Sequence, residues 1–187
     1  SLPAIVQRLS GFCCQIPTGY RFTPSTVRVL IMCSTRPSPG GAANAGVALA
    51  RAGHQVAVGG VLATDADGDV CLALVRAAGL DTRHVLRRDG ASRTTLILIE
   101  PGGERLVLGL DVEPVKPPTL PPPESDAAFD GLYVRATYPG AEAWAAACQG
   151  PVVAHWPAGG FAGPCDVLVA AMDDCDAATL AYPFAAG

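Results

Sequence analysis

Gly40, Gly41 and Asn44 are the residues whose types and spacing could do chemistry, and that chemistry is ligand recognition. Two adjacent glycines leave consecutive backbone N–H groups bare of side chains. They precede a run from Ala42 to Ala52 that is mostly Ala, Gly, Val and Leu. The first N–H groups of a helix have no partner inside it and favour polar or anionic groups. Asn44 adds one polar side chain at that end. A glycine pair alone also serves as an ordinary turn into a helix.

Elements must hold this corner in place. Val27 to Cys33 (VRVLIMC) has the short apolar run of a buried first strand. The small-residue helix can lie close to a sheet and is ended by Gly53. Gln55 to Leu62 alternates and then runs apolar, as a buried parallel strand does. Thr64 or Asp65 caps a second helix, with Asp67 and Asp69 in its positive first turn and Val70, Leu74 and Ala78 spaced along one face. Asp65 thus reads as a helix cap before it reads as a catalytic group.

The stretch Gly40 to Gly68 resembles the N-terminal signature of the ribokinase-like (PfkB) family of sugar kinases. In that family a Gly-Gly, small-residue, Asn pattern opens a helix, and a strand and Gly-x-x-Gly-x-Asp-x-x-Gly follow. The matching positions are Gly40, Gly41, Asn44, Gly53, Gly60, Asp65 and Gly68. Gly46 stands where Ala, Ser or Thr is usual, and Ala63 replaces the glycine two residues before Asp65. Leu80 to Arg83 (LDTR) is similar to the family's Gly-Val-Asp-Thr turn into the next strand. In the family an acid and lid strands follow the first strand. Only Ser34 to Pro39 (STRPSP) stands there, so the lid strands are expected to be reduced or absent.

Further along, Ser92 to Leu110 reads as a hairpin turning at Pro101, Gly102 and Gly103, with Glu104 and Arg105 as a surface pair. Asp111 to Glu124 carries six prolines and reads as a loop. Strands at Gly131–Val134, Val152–Trp156 and Asp166–Val169, with a helix at Ala141–Gln149, restore a βα alternation that implies a parallel sheet with helices on its faces. Arg135 and Thr137 lie just past a strand's C-terminal end, where open α/β sheets bind ligands, although a solvated loop is the plainer reading. Cys165 to Leu180 resembles the family's strand and loop that help place magnesium and phosphate. There Ala171 replaces an asparagine and Asp174 replaces a glutamate.

The resemblance implies a ribokinase-like α/β fold, a mostly parallel sheet with helices on both faces, truncated to about the N-terminal half. Residues 27–187 form the partial domain, and residues 1–26, without a sustained period, stay uninterpreted. It also implies ATP-dependent phosphorylation of a sugar, with Gly40, Gly41 and Asn44 on the substrate hydroxyls and Asp174 near Mg2+. The Gly-Ala-Gly-Asp motif that supplies the catalytic Asp is absent from residues 1–187. That Asp is expected beyond Gly187, with the ATP-binding half. Phosphoryl transfer works by positioning and electrostatic stabilisation, so a chain lacking both is expected to be inactive alone. Two alternatives are a non-catalytic ribokinase-like remnant or interaction module, and a fragment completed by a separate chain.

Composition narrows the other classes. Of 187 residues, 50% are hydrophobic and 16% charged, which suits a well-buried globular domain. A formal charge of -4 and a single lysine, Lys116, argue against a nucleic-acid surface, and Arg87-Arg88 reads as a solvated strand end. No apolar run is long enough to span a membrane, and no signal-peptide order opens the chain. Seven cysteines without a Cys-x-x-Cys pair favour free thiols in a reducing compartment, so a cytoplasmic protein is expected. There is no Gly-x-x-x-x-Gly-Lys-Ser/Thr loop and no Gly-x-Ser-x-Gly elbow. His54, His84 and His155 are scattered without metal-ligand spacing. Apolar surface where a second half would pack points to self-association, a homodimer being the simplest form.

Overall fold

The structure, a computed structural model, describes residues 5–9, 12–16, 28–33, 41–92, 94–99, 105–109, 118–123, 129–135, 138–155 and 163–171. Its elements in chain order are β1 (Ile5–Leu9), β2 (Phe12–Ile16), β3 (Arg28–Cys33), α1 (Gly41–Arg51), β4 (Gln55–Ala63), α2 (Ala66–Ala77) and β5 (Asp81–Arg88). They continue with β6 (Thr95–Ile99), β7 (Arg105–Gly109), β8 (Gly131–Val134), α3 (Ala141–Ala147), β9 (Val152–His155) and β10 (Val167–Ala171).

One sheet has the order β1-β2-β10-β9-β8-β3-β4-β5, and β6 and β7 form a separate antiparallel pair. From β10 to β5 every pairing is parallel. Parallel neighbours need crossovers, and α1, α2 and α3 supply them between β3 and β4, β4 and β5, and β8 and β9. The chain winds from β3 outward through β4 to β5, and later from β8 outward through β9 to β10. Because βαβ crossovers are right-handed, the two directions of winding send the helices to opposite faces.

The two cores follow that division. Leu132, Val134, Val152 and Ala154 pack with Ala141, Trp144 and Ala145 of α3 on one face. On the other, Val56, Val58 and Leu80 pack with Ala42 of α1, and Ala45, Val47, Leu49, Val75 and Tyr133 lie partly buried against them. Each large apolar side chain fully buried this way contributes about 1.5–3 kcal/mol before the entropy of ordering it. Trp144 also donates from Nε1 to the Pro121 carbonyl at 2.8 Å, and the Leu120 N–H donates to the Pro139 carbonyl at 2.7 Å. These bonds pin the end of the proline-rich loop, which holds neither helix nor strand over residues 118–123.

Asp65 is the N-cap of α2, its Oδ1 accepting from the Gly68 N–H at 2.9 Å, and Asp67 and Asp69 occupy the first turn. The stripe Val70, Leu74 and Ala78 does not face the core: Val70 is 57% and Leu74 64% exposed. The helix turns the opposite side inward, with Gly68 buried and Leu72 and Val75 half-buried, also at helical spacing. Two stripes were available, and the glycine allows the closer approach to the sheet.

Two other expectations are corrected. The first 26 residues hold the hairpin β1–β2, antiparallel from Ile5↔Ile16 to Leu9↔Phe12, and β2 runs antiparallel along β10. Arg87 is not simply solvated. Its guanidinium donates to the Ala63 carbonyl at 3.1 and 2.6 Å and pairs with Asp69 at 2.7 Å, tying β5 to the end of β4 and the start of α2. The Ser92–Leu110 hairpin is present as β6 and β7, whereas Glu104 of the expected surface pair lies outside the described residues. Among the described residues no helix is long and apolar enough to cross a membrane. Cys71, Cys148 and Cys165 are free thiols, exposed, half-buried and buried in turn, and burial pushes the Cys165 thiol up to about 11.

Candidate functional site at the switch point of the sheet

The winding reverses between β3 and β8, which are hydrogen-bonded neighbours over Val29↔Gly131 to Met32↔Val134. In an open α/β sheet the two connections that leave such a pair diverge to opposite faces. A crevice opens outside the carboxyl ends of the strands, and ligands bind there. The order of strands sets this switch point, and no single stretch of sequence encodes it.

β3 leads into α1, whose first residue is Gly41. The helix returns along the sheet to feed β4 in parallel, so its N-terminus stands at the carboxyl end of β3, beside the crevice. Asn44 lies in the first turn and is exposed. The early N–H groups of an 11-residue helix and an accessible carboxamide therefore share one position. Two expected site residues, Gly40 and Asp174, lie outside the described residues, as does Thr137.

The β8 side contributes Arg135, one residue past the strand. Register sets Val134 opposite Ala154, so Arg135 falls level with His155, the last residue of β9. Their side chains meet, with Arg135 Nη1 and His155 Nδ1 at 3.1 Å. A guanidinium only donates, so in this contact Nδ1 is the acceptor. Alternation along β8 puts Arg135 on the face of Tyr133, the face that α1 covers. Burial raises the Tyr133 phenol above its ordinary pKa, and the nearby positive charge of Arg135 acts in the opposite direction. His155 is thus a partner within a half-buried pair and not an isolated histidine. The signal available in the sequence was its place at a strand end, the same signal that marks Arg135.

The remaining histidines take other roles. His84 meets the rings of Phe129 and Trp144 edge to face, with centroids 5.8 and 4.9 Å away. His54 lines a cleft of about 330 Å³ with Gln55, Asp81, Arg83 and Phe129, at the amino ends of the strands and so away from the crevice. In that cleft the Arg83 hydrogen bonds hold the Asp81 carboxyl below the usual range. Among the described residues no group of three or more His, Cys, Asp or Glu could hold a metal ion.

The comparisons with known proteins agree with this architecture. The family model for pfkB family carbohydrate kinases matches residues 21–111. The ribokinase of Cryptococcus neoformans var. grubii serotype A, solved in complex with ADP, superposes with a TM-score of 0.51 at 21% identity, over 71% of this chain and 52% of that one. The crystal structure of Sa239 gives 0.51 at 13% identity, over 71% and 55%. A ribokinase of Thermotoga maritima gives 0.48 at 14%, over 73% and 55%. The chain therefore spans about half the length of these solved structures. No curated protein matches it in sequence.

The fold is ribokinase-like, a doubly wound parallel sheet whose winding reverses between β3 and β8. Its stretch 21–111 is similar to the pfkB family of carbohydrate kinases.

Proposed function

We propose that this chain is the sugar-binding part of a PfkB-type carbohydrate kinase, the reaction being transfer of the ATP γ-phosphoryl group to a sugar hydroxyl. The observation that carries this is the start of α1 at the switch point: Gly41 opens the helix there and Asn44 is exposed in its first turn. Main-chain N–H groups donate to hydroxyl oxygens, and a carboxamide both donates and accepts, which matches the alternating needs of a sugar. Gly40 is assigned to the same task from its place in the motif.

ATP and Mg2+ are the cofactors of the proposed reaction. The described residues provide no carboxylate set for the metal, and Asp174 is the one residue of this chain assigned near it. The part played by this chain is to bind and orient the sugar, which removes much of the entropic barrier to a later transfer. We propose a homodimer as its assembly, on the ground that Leu96, Leu98, Leu106 and Leu108 of β6 and β7 stand exposed on one face of a two-stranded sheet.

Isothermal titration tests the assignment. The full chain is titrated with ribose and with fructose, and Asn44→Ala is compared with it. Binding of a sugar that weakens about tenfold in the variant supports the reading, since a hydrogen bond lost to a bound ligand is of that size. Absence of binding to a range of sugars, or equal binding by Asn44→Ala, overturns it.

A further inference from the structure

The chain holds three Asp–Gly pairs, Asp67-Gly68, Asp89-Gly90 and Asp130-Gly131. An aspartate followed by glycine is able to cyclise, because the glycine has no Cβ to hinder the approach of its nitrogen to the preceding carboxyl. The fold treats the three pairs differently. Asp67 and Gly68 both lie inside α2, where Gly68 is buried and its N–H is held by Asp65 Oδ1 at 2.9 Å. Gly131 is buried in the ladder between β3 and β8, opposite Val29. Cyclisation at either place would first have to break regular structure.

Asp89 and Gly90 instead form an exposed bend after β5, with Gly90 at φ of 113° and Ala91 exposed beyond it. Among the described residues no hydrogen bond holds the Gly90 N–H, and the Asp89 carboxylate has one long contact, from Thr64 Oγ1 at 3.4 Å. Arg88 folds back over the bend: Nη1 donates to the Asp89 main-chain carbonyl at 3.1 Å and Nη2 to the Ala91 carbonyl at 2.9 Å. A cation on that Asp89 oxygen stabilises negative charge developing there.

We infer that Asp89-Gly90 is a site of self-modification, where the folded chain isomerises to isoaspartate and in doing so releases Ser92 from the Asp65 cap. The bond from Gly90 N to Asp89 Cγ forms, the Cγ–OH bond of the carboxyl breaks, and the proton of the nitrogen leaves with the hydroxyl as water. Water then adds to the Asp89 main-chain carbonyl carbon, whose oxygen Arg88 polarises, and the bond from that carbon to Gly90 N breaks. The composition is restored, but the backbone now runs through Cβ and Cγ and is one atom longer. Arg88 is fixed on one side of the bend, its carbonyl accepting from the Thr64 N–H at 2.9 Å. Ser92 is fixed on the other, its N–H and hydroxyl both on the Asp65 carboxylate. An extra backbone atom between these two anchors moves Ser92 out of register with Asp65.

The experiment incubates the full chain at neutral pH, folded and in urea, and follows each Asp–Gly pair by peptide mapping with mass spectrometry. Isoaspartate is read as a peptide of unchanged mass and shifted retention, and the ring as a peptide lighter by one water. In urea all three pairs are expected to convert. In the folded chain Asp89 is expected to convert while Asp67 and Asp130 are retained. Asp89→Glu keeps the charge but cannot close the same ring, and the conversion is expected to be lost in it. In aged wild-type protein the NMR signal of the Asp65 carboxyl is expected to shift towards its position in Ser92→Ala, and in aged Asp89→Glu to stay in place. An Asp89 that remains intact in the folded chain, or that converts no faster than Asp67 and Asp130, overturns the inference. Conversion at Asp89 with an unmoved Asp65 signal overturns the release of the cap.

Discussion

Ser92 holds the Asp65 carboxylate from two directions, its backbone N–H donating to Oδ2 and its hydroxyl to Oδ1 at 2.6 Å. With the Gly68 N–H on Oδ1, one side chain caps α2 and fastens the segment after β5 to it. The hydrogen bonds from the Ser92 side chain, the Ser92 N–H and the Gly68 N–H, in that order, lower the carboxyl from its ordinary 3.8 to about 2. A carboxylate whose pKa is lower in the folded chain stabilises fully above the unfolded value and loses that contribution as pH falls towards the folded one. Stability is therefore expected to drop between about pH 4 and pH 2. Ser92→Ala should move the carboxyl midpoint upward in an NMR titration, and Asp65→Asn should flatten the acid limb of a urea-melt series.

Glycines at two places answer to different demands. A Cβ at Gly68 would land on the Ala63 carbonyl oxygen, backbone that cannot swing aside. Gly68→Ala is expected to cost about 1–3 kcal/mol, as overpacking of a tight contact does. Gly53 has open space around it but φ of 91°. Gly53→Ala should cost about 1 kcal/mol from the left-handed backbone alone. Urea denaturation of the two variants distinguishes steric from conformational cost.

At the α1 corner, a side chain at Gly41 would stand among the N–H groups assigned to the sugar. Gly41→Val is expected to abolish sugar binding in a calorimetric titration while the melting temperature stays nearly unchanged. A collapse of the melting temperature instead would identify the glycine as no more than a tight turn into the helix.

On the β6–β7 ribbon, register sets Leu96 against Leu108 and Leu98 against Leu106, all four exposed on one face. An isolated two-stranded sheet is marginal in water, so a second copy laid on this face would stabilise it. Leu98→Glu is expected to shift a dimer to monomer in sedimentation equilibrium. A wild-type chain that is monomeric at every concentration would dispose of the homodimer.

Local patterns in the sequence reached far. The helix opened by Gly41, the cap at Asp65, the hairpin around Pro101 and the alternation after Gly131 all depend on neighbours in the chain, and each appears within a few residues of where spacing placed it. What depends on strand order did not appear. The switch point between β3 and β8 joins segments about a hundred residues apart, and the Arg135–His155 contact follows from that order and from register. The α2 stripe went astray because helical spacing fits both Val70–Leu74 and Gly68–Leu72–Val75, and only the sheet decides between them. The hairpin β1–β2 left a faint trace in two short β-prone runs flanking Ser10-Gly11, easily lost among the prolines that follow.

The pairing of β2 with β10 joins the first described hairpin of the chain to its latest described strand. During synthesis the first hairpin emerges long before its partner exists and must wait, its edge open, until β10 has been made. The contact closes a long loop between residues 15 and 168, although the entropy of closing so long a loop grows only slowly with length. Such distant pairings slow folding and lengthen the time that an unpaired edge is exposed. The sheet is thus completed by an early hairpin pairing late, and a change in β2 would be felt at β10.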